Sequence, residues 1–208
     1  MARLMDMGLE KVNSLLLEMA TISENAVSES IDVYRKGGDG TSVDRLSDQL
    51  RVLHNQVSDL TMELIARYQP VASDLRFIKA CFEVSYGFYR FGRYAHDIVE
   101  VRDIIGDVSK CDQRPVVEAA KKTQEMIRMS IDAFARRDVE TARMIPQMDD
   151  VVDQRYRDYL RKVITGKGDL RCALSATLIL RYLERIADHA TYIGDSVVYI
   201  VTGVSPPS

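Results

Sequence analysis

Asp74-Leu75-Arg76 returns 95 positions later as Asp169-Leu170-Arg171, and Ser30-Ile31-Asp32 returns 100 positions later as Ser130-Ile131-Asp132. The chain is therefore a tandem duplication, with residues 1–108 expected to form one repeat and residues 109–208 the other. The difference of 5 residues between the two offsets falls between the anchors, where Gly37-Gly38-Asp39-Gly40 offers extra loop in the first copy. With the 95-residue offset carried forward, Tyr89-Arg90-Phe91-Gly92-Arg93 falls on Glu184-Arg185-Ile186-Ala187-Asp188. Two acids of the second copy thus face a tyrosine and an arginine of the first.

Working outward from these anchors, the apolar residues follow a helical period nearly from end to end. The breaks between periodic runs place six helices at about Leu4–Lys36, Ser42–Tyr68, Ser73–Ile105, Pro115–Arg136, Val139–Ile164 and Leu170–Thr202. Gly37-Gly38, Gln69-Pro70, Gly106 and Gly166 stand where helices end, and Asp138 and Asp169 stand where N-caps belong. Short connections force neighbouring helices antiparallel, so the expected fold is all-α, two tandem antiparallel three-helix bundles related by a pseudo-twofold. Pro146 lies inside the fifth helix and is expected to bend it or to split off its first turn.

Composition narrows the function classes. At 208 residues the chain is long enough to bury a core. It is 28% charged and 46% apolar, with 7% aromatic residues, no Trp and 5 Pro, a balance that suits long helices. The net charge is −3 and the basic residues are dispersed, so the electrostatic footprint of direct nucleic-acid binding is missing. No apolar run approaches the ~20 residues of a membrane span, which leads to the expectation of a cytoplasmic protein. Cys81, Cys111 and Cys172 are odd in number and lie in no CxxC spacing, a pattern that suits reduced thiols better than a disulfide or a thiolate metal site.

In the sixth helix Ile179, Leu183, Ile186, Ala190, Ile193, Val197 and Ile200 form a core seam in alternating steps of four and three. At about 100° per residue, Glu184, Asp188 and Asp195 fall on the opposite side and are expected to face outward. In the fifth helix Asp149 and Asp153 have the same i, i+4 spacing at the edge of the seam marked by Met148, Val152, Tyr156, Tyr159 and Val163. Like charges one turn apart repel, so such pairs stabilise nothing unless a cation sits on them. A hard metal ion suits them, because carboxylates are the preferred ligands of Mg, Mn and Fe and two helices can offer four such side chains to one site. The plainer alternative is a solvated acidic face helped by Arg181. His189 lies near the seam and reads as a packing residue, and His96 reads as an ordinary surface residue. His54 and Ser58 occupy the first-copy places of Asp149 and Asp153. No nucleophile, base and orienting acid can be assembled from these positions, and no Gly-rich phosphate loop is present, so no enzyme is expected.

The stretch Leu183-Glu184-Arg185-Ile186-Ala187-Asp188-His189-Ala190-Thr191, with Val197-Val198-Tyr199, resembles the signature of PhoU-family proteins. Gln69-Pro70-Val71-Ala72-Ser73-Asp74-Leu75-Arg76 and the acidic run from Asp149 to Gln154 add to that resemblance, which spans nearly the whole chain. It implies two three-helix repeats with surface metal clusters on E/DxxxD motifs. Carried over, the ligands are Asp149, Asp153, Glu184 and Asp188, holding divalent or ferric ions such as Fe, Mn, Mg or Zn at one site in the second repeat. The first repeat, with His54, Ser58, Tyr89 and Arg93, departs from the motif at all four places. The resemblance further implies a regulator of phosphate uptake that links a phosphate transporter ATPase to a sensor histidine kinase and represses phosphate-starvation genes. Some relatives instead accompany other phosphate permeases. Contact with membrane complexes is then peripheral only, and a homodimer is compatible with it. A competing reading is a carboxylate-bridged di-metal protein of ferritin-like type, which requires inward carboxylates from four helices and Glu-x-x-His motifs.

Overall fold

The computed structural model describes residues 2–166 and 168–204. It contains α1 (Ala2–Lys36), α2 (Thr41–Tyr68), α3 (Ala72–Ile105), α4 (Arg114–Arg136), α5 (Val139–Thr165) and α6 (Leu170–Thr202), with no strand among the described residues. Local chemistry explains the ends. The Asp138 carboxylate accepts from the backbone N–H of Glu140 and Thr141, and the Asp169 carboxylate from that of Cys172, satisfying donors that a helix start leaves unpaired. Gln69 ends α2 in the left-handed region, just before Pro70. Pro146 does not split α5, which runs unbroken through it. Proline has no N–H for the carbonyl four residues back, that of Ala142. Gly194 of α6 approaches that carbonyl so closely that a Cβ there would stand 3.1 Å from its oxygen.

α1, α2 and α3 pack on one another, as do α4, α5 and α6. Between the two sets, α3 packs on α6 and α1 on α4. Each contact between the sets joins a helix to its own repeat equivalent, as a twofold relation between the copies allows. The seam expected on α6 is buried at Ile179, Leu183, Ile186, Ala190, Ile193 and Val197, while Ile200 is only partly covered. α3 and α6 form the centre, packing on each other more extensively than any other pair and each on both other helices of its own set. α5 lies at the edge and buries only Ala142, Ile145 and Val152 completely.

One expectation fails outright. Cys111 and Cys172 are joined by a disulfide, with their Cα atoms 5.4 Å apart, and only Cys81 is free. Their spacing of 61 residues carried no hint of this, because the approach depends on the connection 106–113 folding back over the start of α6. The bond closes a covalent ring around the whole of α4 and α5. Among the described residues, no helix is long and apolar enough to cross a membrane.

Candidate metal centre

The i, i+4 spacing puts Asp149 and Asp153 on one face of α5, and Glu184 and Asp188 on one face of α6. Packing of α5 on α6 turns the two faces toward each other. Carboxylate oxygens of Asp149, Asp153 and Asp188 all lie within 4.8 Å of one another. Glu184 adjoins this group but is not part of it at that distance, so three of the four expected ligands converge directly.

The outward orientation expected for the α6 acids is corrected. Glu184 is buried, with 8% of its surface exposed, and Asp188 and Asp153 are half-buried. An angle measured from the seam assumes one covered face, but α6 is enclosed by α3, α4 and α5, so the side opposite its seam also meets a helix. Asp195, grouped with these acids on the helical wheel, has a carboxyl pushed up by burial alone and does not join them.

Electrostatics identify what the cluster lacks. Oδ1 of Asp149, Oδ1 of Asp153 and Oε2 of Glu184 are buried without a hydrogen-bond partner. Buried polar atoms are normally satisfied, and an orphaned carboxylate oxygen is costly. Burial, then the neighbouring Asp188, Asp153 and Glu184, push the Asp149 carboxyl up to about 7. The carboxyl of Glu184 is raised by burial and Asp188, and that of Asp188 is raised by burial and Asp153 despite Arg185. Among the described residues compensation comes from arginines: Arg157 on Asp153 at 2.7 Å, Arg185 on Asp188 at 3.3 Å and on Glu184 at 4.0 Å, and Arg181 on Glu184. These arginines leave the three buried oxygens without a hydrogen bond, Arg185 coming no nearer than 4.0 Å to Oε2 of Glu184. The donor set is all oxygen and anionic, which fits a hard divalent or ferric cation. A ferritin-like centre does not fit, because this cluster draws on only two helices, α5 and α6, of one repeat.

In the first repeat the same locus is filled differently. His54 stacks on Tyr89 with ring centroids 5.5 Å apart and planes within 8°, and its Nδ1 lies 3.0 Å from the Ser85 hydroxyl. Arg93 donates to Asp97 at 3.4 Å and stays partly exposed. An aromatic stack and a guanidinium thus stand where the second repeat converges acids. His189 packs among Tyr86, Tyr94 and Tyr192, and burial followed by Arg90 and Arg185 pushes its imidazole down to about 4, as suits a neutral packing residue. His96 is more than surface decoration: its Nδ1 lies 2.7 Å from Asp44, and with Asp97 and Glu100 it forms a second group of potential ligands. The His96-x-x-x-Glu100 spacing was the sequence signal for that group.

Comparison with known proteins agrees with the two-repeat helical fold. A family model described as the PhoU domain matches the chain twice, over residues 16–101 and 116–197, one match in each repeat. The chain is 31% identical, over 94% of its length and 84% of the relative's, to a Pseudomonas aeruginosa protein described as a phosphate-specific transport system accessory protein PhoU homolog. It is 32% identical over 70% of its length, and 69% of the relative's, to a protein from Methanothermobacter thermautotrophicus described as homolog 1 of the same protein. The crystal structure of PhoU from P. aeruginosa superposes with a TM-score of 0.87 at 28% identity, covering 96% of this chain and 99% of that one. That of the Streptococcus pneumoniae protein shares the fold, with a TM-score of 0.75 at 18% identity over 98% of this chain and 100% of that one.

Proposed function

The chain belongs to the PhoU family, and on that premise we propose that it is the accessory protein of a phosphate-specific transport system, a non-enzymatic adaptor that restrains phosphate-starvation genes. Its contacts are with the transporter ATPase, the sensor histidine kinase, or both. The observation that carries this reading is the double match, which covers both repeats, together with relatives described as accessory proteins of the phosphate-specific transport system. Metal occupancy is the second part of the proposal. Asp149, Asp153 and Asp188 hold the ion, with Glu184 beside them, and the inward oxygens left without partners support this assignment. A bound Mg, Mn or Fe ion supplies positive charge that neutralises the converging carboxylates. Through these side chains the edge helix α5 is tied to the central helix α6.

The adaptor reading is tested in phosphate-replete cells that lack this chain and carry a phosphate-starvation reporter. Restoring the chain is expected to restore repression, and a reporter equally active with and without it overturns the reading.

The two repeats should meet partners differently. The Tyr89 ring and the Arg93 guanidinium lie one helical turn apart and need no ion to attract an acidic or aromatic partner surface. With the transporter ATPase as bait, Tyr89→Ala combined with Arg93→Ala is expected to weaken the complex by about tenfold, the loss typical of one interface anchor, with or without chelator. If chelator alone abolishes the complex and the double substitution leaves it unchanged, the acidic cluster is the contact surface instead.

A further inference from the structure

Arg137 ends α4 in the left-handed region, with φ 56° and ψ 36°, and its own N–H and that of Asp138 close the helix onto Ala133. At the matching place in the first repeat, 100 residues earlier, stands Gly37 with φ 75°. The turn therefore needs a left-handed residue in both copies, and glycine is the residue that adopts it without steric penalty. The second copy accepts an arginine there, and strain tolerated at one position calls for a compensating role.

The side chain supplies one. Its guanidinium lies over the ring of Phe77 at 4.4 Å and over that of Phe134 at 5.0 Å, two cation–π contacts that restrict where it can move. Among the described residues it makes no hydrogen bond and no ion pair, and its Nη1 is buried without an acceptor. The Cys81 thiol is close enough to act on its charge, but burial pushes that thiol up to about 12, so it is neutral. The same guanidinium lines an open cavity of about 500 Å³ between α1, the first turns of α3 and the end of α4. Asn13 and Ser14 offer further polar atoms there, Leu17 and Phe77 form apolar wall, and Glu10 stands at the edge.

We propose that this cavity at the junction of the two repeats binds a small oxyanion, a phosphate or carboxylate group, on the free edge of Arg137. A guanidinium held between two rings is a charged donor suited to the oxygens of either group. Asn13 and Ser14 offer neutral hydrogen bonds beside it. The site lies in a different part of the molecule from the carboxylate cluster and does not require it.

The test is calorimetric titration of the full chain in chelator, so that no metal at the acidic cluster captures the anion, with inorganic phosphate and separately with acetate at chloride-matched ionic strength. Saturable binding of at least one is expected, and which of the two binds identifies the group recognised. Arg137→Gln should weaken it about tenfold or more, the usual consequence of losing a charge-assisted pair of hydrogen bonds. Arg137→Gly should lose binding to the same extent while melting no lower than the parent, since glycine adopts the left-handed turn freely. Glu10→Gln should tighten binding severalfold by removing a like charge from the cavity edge. Failure of both ions to saturate, or undiminished binding in Arg137→Gly, overturns the assignment.

Discussion

Reducing the Cys111–Cys172 bond is expected to lower the unfolding free energy by about 4 kcal/mol, the chain-entropy value for a closed loop of this size. Because 61 residues separate the cysteines, the bond forbids the unfolded chain a large set of open conformations, and those return when it is cut. The native structure gives up little in exchange. Val108 remains buried, and Arg102 still reaches Asp107 at 3.7 Å, so the connection keeps part of its anchoring. Both sulfurs belong to half-buried residues, within reach of a small reductant. At about 2–4 °C per kcal/mol for a chain of this length, the melting temperature should fall by roughly 10 °C. Urea titrations with and without reductant, repeated on Cys111→Ser with Cys172→Ser, measure the effect. Cys81 serves as an internal control, because its buried thiol is not part of the bond. A midpoint that does not move on reduction would show that the unfolded chain is already restricted in some other way.

Metal loading should produce the second large effect. An ion that binds only the folded chain, at a thousandfold excess over its dissociation constant, adds about 4 kcal/mol of stability. Here that gain should concentrate on α5, the helix with the fewest buried anchors, and appear as slowed amide exchange between Asp149 and Asp153. Asp153→Asn with Asp188→Asn should abolish both the stabilisation and the metal measured by elemental analysis. The same cluster sets a pH signature in the metal-free protein. The Asp149 carboxyl ordinarily titrates at 3.8 but is held at about 7 in the folded chain. Between those values the folded state binds more protons than the unfolded one, so this group's contribution to stability falls as pH rises from about 4 to 7 and stays low above 7. Glu184 and Asp188, raised in the same direction, add to that slope. His189 opposes it: its depressed imidazole makes the folded state lose stability as pH falls below the ordinary histidine value. The informative quantity is therefore the difference between parent and Asp149→Asn in chelator. The variant should be the more stable of the two at pH 8, with the gap closing toward pH 5. With metal present the order reverses at pH 8, because protons no longer compete for the carboxylates and the ion occupies them. A parent that is the more stable of the two in chelator at pH 8 would mean that the acids are held by partners other than an ion.

The architecture was legible in the chain because its determinants are local. Helix ends lie within about two residues of their expected places, since Gly37, the Gln69-Pro70 pair and the Asp138 and Asp169 caps act on backbone groups a few positions away. The i, i+4 acid pairs were legible for the same reason: one turn of helix puts Asp149 beside Asp153 and Glu184 beside Asp188 whatever surrounds them. How those acids are buried was not legible. Helical periodicity reports angles about a single axis, and the side opposite the seam of α6 counts as outside only until α5 packs over it. The Cys111–Cys172 bond and the unpaired guanidinium of Arg137 were hidden in the same way. The bond depends on the connection 106–113 folding over the start of α6, and the Arg137 cavity on α1, α3 and the end of α4 meeting. Spacing along the chain determined which side chains share a helix face. The enclosure of α6 by three other helices decided which of those faces lost water, and for Glu184 and Asp149 the loss of water turns a pair of surface acids into a cluster with oxygen atoms that no protein group satisfies.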